Sequence, residues 1–380
     1  MAEESSQNRK ATSIMIALLL IFLLHIGPGN SHHQDLFDSV STGEVDAIYN
    51  MLPEPSPMKG SDPSILWTYL ASANTTLTYN TVELGDLNND GNLDIASAYD
   101  GLGLRLWIQN ENGSFQNISS PAITGNYNDI EIGDINNDGK LDIVAARLGS
   151  LSAWFGNGLG TNWSANVGPA GTGNFNAIDL CDINLDGDPD IVAALSGTGT
   201  RRGVQISLGN GAGTWTNGDP GNVMPLNVKY NGIFCGDFNN DGKPDIAAAS
   251  DNGVDAWMGN GAGAWTLSDG GLPSSGTFSE IRMADLDNDG DLDIIAAGGN
   301  NNGIRVCKGN GAGTWTLTVT GMPTTGTYSS LAISDINLDG FLDIITSSTN
   351  SNQVVWTGDG LFNWYQQNNE IGRASCRERV

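Results

Sequence analysis

Histidine is nearly missing from this chain. Three occur in 380 residues, His25, His32 and His33, all near the start. The body therefore has no imidazole to act as a general base or as a metal ligand, and no nucleophile motif accompanies it. Positive charge is scarce as well: 16 Lys+Arg stand against 43 Asp+Glu, a formal net charge of -27. That balance excludes nucleic acid and anionic membrane surfaces as partners, because phosphate recognition needs a basic footprint. Cysteine is limited to Cys181, Cys235 and Cys307 in strand-like segments and Cys376 near the end. Three thiols in the body make no disulfide framework. They read as small buried side chains, with a Cys181–Cys235 bridge between neighbouring repeats as the alternative. Helical periodicity is absent, whereas glycine (51) is abundant, together with Asn and Thr. This is the composition of a turn-rich β protein.

Long apolar runs are limited to one, residues 14–26, interrupted only by His25. Arg9 and Lys10 precede it, Gly27-Pro28-Gly29 ends it, and Gly29 and Ser31 are the small residues of a cleavage site. Residues 1–31 thus have the anatomy of a secretory signal, and the apolar run is short for a membrane span. An uncleaved anchor is the alternative. The expectation is an extracellular or cell-surface protein with no membrane insertion after cleavage. Residues 32–62 are a linker, in which Ser41 and Glu44 suit the cap of a short helix through Leu52. Residues 370–380 break the composition abruptly, with three arginines in eleven residues. They resemble the translation of a sequencing-library adapter and are left out of the fold.

The body, residues 63–368, is built from one repeat. A nonapeptide D-x-[ND]-x-D-G-x-x-D begins at Asp86, Asp134, Asp182, Asp237, Asp285 and Asp335, at intervals of 48, 48, 55, 48 and 50 residues. Apolar residues alternate into each loop (Val82/Leu84, Ile130/Ile132, Ile178/Leu180, Ile233/Cys235, Ile281/Met283, Leu331/Ile333), the period of a strand. An Ala-rich apolar run follows each loop, such as Ile143-Val144-Ala145-Ala146. A third strand ends at Trp107, Trp154, Ser207, Trp257, Cys307 or Trp356. After a Gly-Asn-Gly type turn, a fourth carries Phe115, Trp163, Trp215, Trp265, Trp315 or Trp364. Four short strands per fifty residues predict an all-β fold, a β-propeller with six four-stranded blades in this chain; a β-solenoid is the alternative. The fixed tryptophan column predicts packing between blades rather than sugar stacking. Residues 64–69, around Trp67, match a fourth strand with no strands before it, which implies a seventh blade completed beyond the C-terminus.

The loops concentrate carboxylates. Position 3 is Asn88, Asn136, Asn184, Asn239, Asp287 or Asn337, and position 5 is Asp90, Asp138, Asp186, Asp241, Asp289 or Asp339. Position 9 is Asp94, Asp142, Asp190, Asp245, Asp293 or Asp343. Oxygen donors at 1, 3, 5 and 9, with Gly at 6 for a sharp turn, suit a hard divalent cation. Position 7 varies freely, as a main-chain carbonyl ligand allows. The expected cofactor is Ca2+, about one per repeat, and six ions would bring the net charge to about -15. Solvated Asx turns are the alternative. With these residues the chain resembles the FG-GAP/VCBS repeat proteins, the class that includes the propeller head of integrin α subunits. The resemblance runs from Trp67 to about Gln367 and implies calcium in the loop joining the first two strands of each blade. The Phe-Gly and Gly-Ala-Pro signatures of the family are blurred here, and no ligand-recognition residue carries over.

Three functions fit. A non-catalytic binding or adhesion module for carbohydrate or extracellular protein is preferred, with the small polar loops 196–202, 219–226, 300–302 and 321–327 as its variable surface. A structural surface-layer component is the second. The third is the propeller part of a polysaccharide-degrading enzyme, for which Glu83, Glu131 and Asp179 share one column. That column continues to Phe234, Arg282 and Ala332, which favours ordinary variation between repeats. Asn74, Asn112, Asn117 and Asn162 lie in glycosylation sequons.

Overall fold

The computed structural model describes residues 79–367, apart from 100, 112–113, 167, 170, 172, 197–201, 219–223, 225–226, 319 and 349–353. The expected signal, helix, strand at 64–69, tail and seventh blade lie outside the described residues. Within them the chain forms 24 strands in six antiparallel four-stranded sheets, each a simple meander. Blade 1 is β1 (Tyr79–Gly85), β2 (Asp94–Tyr99), β3 (Gly103–Gln109) and β4 (Phe115–Ile118). Blade 2 is β5 (Tyr127–Gly133), β6 (Asp142–Arg147), β7 (Ser150–Gly156) and β8 (Trp163–Asn166). Blade 3 is β9 (Phe175–Cys181), β10 (Asp190–Ser196), β11 (Arg202–Leu208) and β12 (Thr216–Gly218). Blade 4 is β13 (Tyr230–Gly236), β14 (Asp245–Ser250), β15 (Gly253–Gly259) and β16 (Trp265–Leu267). Blade 5 is β17 (Phe278–Ala284), β18 (Asp293–Gly298), β19 (Gly303–Lys308) and β20 (Thr316–Thr318). Blade 6 is β21 (Tyr328–Ser334), β22 (Asp343–Ser348), β23 (Val354–Gly358) and β24 (Trp364–Gln366). The described residues form a six-bladed β-propeller.

The second strand of each blade is buried on both faces, which explains its Ala-rich sequence: β6, β10, β14 and β18 are apolar and buried almost throughout. Small side chains let adjacent blades approach, and large ones from the neighbour fill the gap. Five apolar cores result, each shared between consecutive blades. Tryptophans at the ends of the third and fourth strands sit in these cores against the preceding blade. Trp257 is fully buried, and Trp154, Trp265, Trp315, Trp356 and Trp364 nearly so. The packing role expected of that column is therefore the observed one. The third strands run one or two residues past the expected ends, because pairing with the fourth strand continues to Gln109↔Phe115 and Gly259↔Trp265.

The cysteines overturn the expectation of free thiols throughout. Cys181 of β9 and Cys235 of β13 form a disulfide between blades 3 and 4, with Cα atoms 6.5 Å apart. They lie one and two residues before their loops, in different columns of the repeat, so periodicity does not point to the pair. Cys307 is free and buried. Among the described residues no helix is long and apolar enough to cross a membrane.

Candidate functional site

Strand direction sorts the loops onto two faces. The acidic loops and the Gly-Asn-Gly turns share one face. The hairpins joining second and third strands share the other with the links between blades. On the first face all six acidic loops fold alike. The position-1 Asp accepts the backbone N–H of positions 5 and 6 at 2.7–3.1 Å in every loop. The position-5 Asp accepts the N–H of position 7, as between Asp90 and Asn92 at 2.8 Å. Position 4 is left-handed although it is never glycine, including Leu185 (φ 60) and Leu338 (φ 59), and Gly91 at position 6 has φ 86. A Cβ on Gly91 would meet nothing within 4 Å, so conformation rather than space selects glycine there.

The position-9 Asp is placed differently. Asp94, Asp142, Asp190, Asp245, Asp293 and Asp343 are completely buried. One oxygen of each accepts the N–H of loop position 2, and the other an N–H at the end of the third strand, at 2.7–3.1 Å. Each carboxylate thus staples its loop to the blade, so its recurrence has a structural cause besides any ion. Burial outweighs these bonds and lifts the carboxyl to about 7 in Asp94, Asp245 and Asp293 and about 6 in Asp142, Asp190 and Asp343.

The loops also carry their own donors. The outer oxygen of position 5 meets Asn88, Lys140, Asn184, Lys243, Lys308 or Asn337. In the fifth loop the carboxylate oxygens of Asp285, Asp287 and Asp289 lie within 4.8 Å of one another, a spacing that a bound cation requires. These hard oxygens, gathered on one turn and fixed by main-chain bonds, could hold a cation.

Sequence reasoning missed a second layer around the axis. Seven residues before each loop stands an aromatic, Tyr79, Tyr127, Phe175, Tyr230, Phe278 or Tyr328. The next residue is bulged out of the ladder with β2, β6, β10, β14, β18 and β22. In the first four blades it is Asn, and its amide donates to the carbonyl of the next blade's aromatic: Asn80 to Tyr127, Asn128 to Phe175, Asn176 to Tyr230 and Asn231 to Phe278, at 2.7–2.9 Å. A bulge re-aims a side chain, and here it makes a clasp between blades. The aromatic-Asn pair recurs in the sequence and is the signal that could have revealed it.

The inner strands also carry charge toward one another. Glu83, Glu131 and Asp179, which share one column of the repeat, do come together, and Asp129, Glu280 and Arg282 join them. Asp129, Asp179 and Glu280 each accept an N–H of the next blade, from Ile178, Cys235 and Leu331. Arg282 pairs with Glu280 at 2.6 Å. Burial first, then the neighbouring carboxylates, raises Glu83 to about 8 and Glu131 well above its usual range, opposed by Arg282. Burial lifts Asp129 to about 7 and Asp179 to about 6.

The opposite face holds an open polar hollow of about 510 Å³ across blades 3 to 5, lined by Asn176, Lys229, Asn231, Asp251, Thr277, Ser279 and Asn300. Its groups are ordered by one another: Asn231 donates to Asp251 (2.9 Å), Lys229 pairs with Asp251 (3.2 Å) and Asn300 donates to Thr277 (3.2 Å). Ser279 occupies the clasp position, where the preceding blades have Asn. Of the variable loops expected to bind, 300–302 supplies Asn300. Asn301 ties that turn to 321–327 through the Thr327 hydroxyl and the Gly326 N–H.

Comparison with known proteins agrees with this architecture. A search of curated proteins found no match. Among solved structures, an Agrocybe aegerita lectin described for specific recognition of non-reducing terminal N-acetylglucosamine is similar at 21% identity, covering 77% of this chain and 80% of that one, with a TM-score of 0.52. BBS1N, solved in complex with ARL6DN, is similar at 14% identity, covering 77% and 82%, with a TM-score of 0.50. At these identities the likeness is one of fold. The FG-GAP-like repeat model matches 86–145, 134–193, 182–248, 237–296 and 285–346, and its five windows begin at the first five acidic loops. The chain belongs to the FG-GAP-like repeat family.

Proposed function

We propose that this chain is an exported, calcium-stabilised propeller that binds a glycan, without catalysis, on the face opposite its acidic loops. The observation that carries the reading is the polar hollow at Asn176, Asn231, Thr277, Ser279 and Asn300. Amides and hydroxyls match the paired donors and acceptors of a sugar, and their mutual hydrogen bonds lower the ordering cost of binding. The lectin among the similar structures supports a glycan over a protein surface. Three of the five axial carboxylates are already engaged as clasps to the next blade, which supports structure over glycoside chemistry. The Cys181–Cys235 bridge supports an oxidising compartment, and the oxygen-rich loops support calcium.

The test is glycan-array binding by the wild type and by Ser279→Asn. The asparagine restores the clasp of the first four blades and fills the hollow. Wild-type binding that is lost in Ser279→Asn, with the melting temperature unchanged or higher, is expected. No glycan bound by the wild type, or equal binding by both, contradicts the site. Binding only to a protein surface would replace glycan by protein.

A further inference from the structure

The fifth blade departs from the others at three places that touch one another. Its loop has Asp287 at position 3, where the other five have Asn. Lys308, at the end of β19, stands where the other blades have Ile108, Phe155, Leu208, Met258 and Thr357. The turn of the next blade then places Phe362 where its counterparts are Gly113, Gly160, Gly213, Gly263 and Gly313. At three of the other junctions the apolar residue lies directly under that glycine: a Cβ on Gly160 would meet Ile108 Cδ1 at 2.8 Å, one on Gly213 Phe155 Cζ at 2.0 Å and one on Gly313 Met258 Sδ at 2.9 Å, whereas one on Gly263 would meet nothing within 4 Å. In the fifth blade the lysine turns aside to the acidic loop. Phe362 is buried in the turn above, at a φ of 61 that a bulky residue rarely adopts.

Lys308 makes three contacts with its ammonium while its side chain stays partly exposed. Its ammonium pairs with Asp287 Oδ2 and, at 2.8 Å, with Asp289 Oδ2. It also lies 5.4 Å from the centre of the Phe362 ring, a favourable cation–π distance. Asp287 Oδ1 is buried with no hydrogen-bond partner, so a cation beside this carboxylate is what offsets its charge. The one loop with a carboxylate at position 3 is thus the one with a lysine delivered from the blade.

We propose that Lys308 is the resident cation of the fifth loop, a tethered ammonium that takes the place of a divalent ion and closes this loop to metal. A tethered group competes at high effective concentration, and a divalent ion entering the Asp285–Asp287–Asp289 cluster must first displace it. The inference rests on the calcium reading of the other loops and specifies it: the chain carries one ion fewer than it has loops.

The experiment compares the full chain with Lys308→Met, which takes the residue of the preceding blade, and with the double variant Asp287→Asn/Lys308→Met, which restores the pattern of the other loops. Bound calcium is counted by native mass spectrometry, and melting is followed in EDTA. Lys308→Met is expected to bind one more ion than the wild type and to melt lower in EDTA, where Asp287 and Asp289 lose their counter-ion. The double variant is expected to recover the melting temperature in EDTA. Equal ion counts overturn the proposal while leaving the calcium reading intact. No ion on either chain overturns both, whereas an ion on Lys308→Met alone supports Lys308 and sinks calcium in the other loops. Unchanged melting of Lys308→Met in EDTA also counts against it.

Discussion

At the scale of the residue, one side chain can have two reasons to recur. The position-9 Asp was legible as an invariant carboxylate, and a metal shell was the simplest cause. Its two main-chain bonds, for example Asp190 to Ile183 and Gly209, are a second cause that sequence cannot separate from the first. Removing an acceptor from a buried N–H costs about 1–3 kcal/mol. Asp190→Asn turns an amide N–H toward a buried donor, so a loss of about 2 kcal/mol is expected in EDTA, measured by urea unfolding. A carboxylate serving only as a metal ligand would leave the EDTA value unchanged or raise it, since repulsion is relieved.

At the scale of the element, the strands were legible because each blade repeats two periods at once: alternation into the loop, and an unbroken apolar run out of it. Loop positions, turn glycines and the tryptophan column came with them. What stayed hidden depends on juxtaposition between blades. The Cys181–Cys235 bridge pairs positions out of column, and the clasp uses a residue that the bulge removes from the alternation. The gathering of Glu83, Glu131 and Asp179 depends on ring geometry that no single strand carries. A cross-link closing 54 residues restricts the unfolded chain by up to about 4 kcal/mol. Cys181→Ser is expected to lower the melting temperature by several degrees under oxidising conditions and to abolish its sensitivity to reductant. A reductant effect that persists in Cys181→Ser would contradict the bridge.

At the scale of the whole molecule, charge is organised in two places, an acidic rim and an axial cluster. The axial carboxylates of Glu83, Asp129, Glu131 and Asp179 are raised above their usual range, so the folded state holds protons that the unfolded chain releases. Their contribution to stability is fully present below the ordinary carboxylate range and is lost as pH rises through about 6 to 8. Glu83→Gln is expected to flatten this dependence. It should be nearly neutral at pH 4.5 and stabilising by about 1 kcal/mol at pH 8, a shift of a few degrees. A variant less stable than wild type at pH 8 would show that Glu83 is held ionised.

On the calcium reading, ions at the rim would act on several blades together. A site with a dissociation constant of about 1 mM adds about 1.4 kcal/mol at 10 mM free calcium, and several sites add in parallel. The most direct measurement is the melting temperature of the purified chain in EDTA and through a calcium titration, at fixed ionic strength with magnesium as control. A rise of ten degrees or more is expected, graded with calcium concentration and larger than with magnesium. A melting temperature that calcium leaves where EDTA put it would mean that the acidic loops are hydrogen-bonded turns and nothing more.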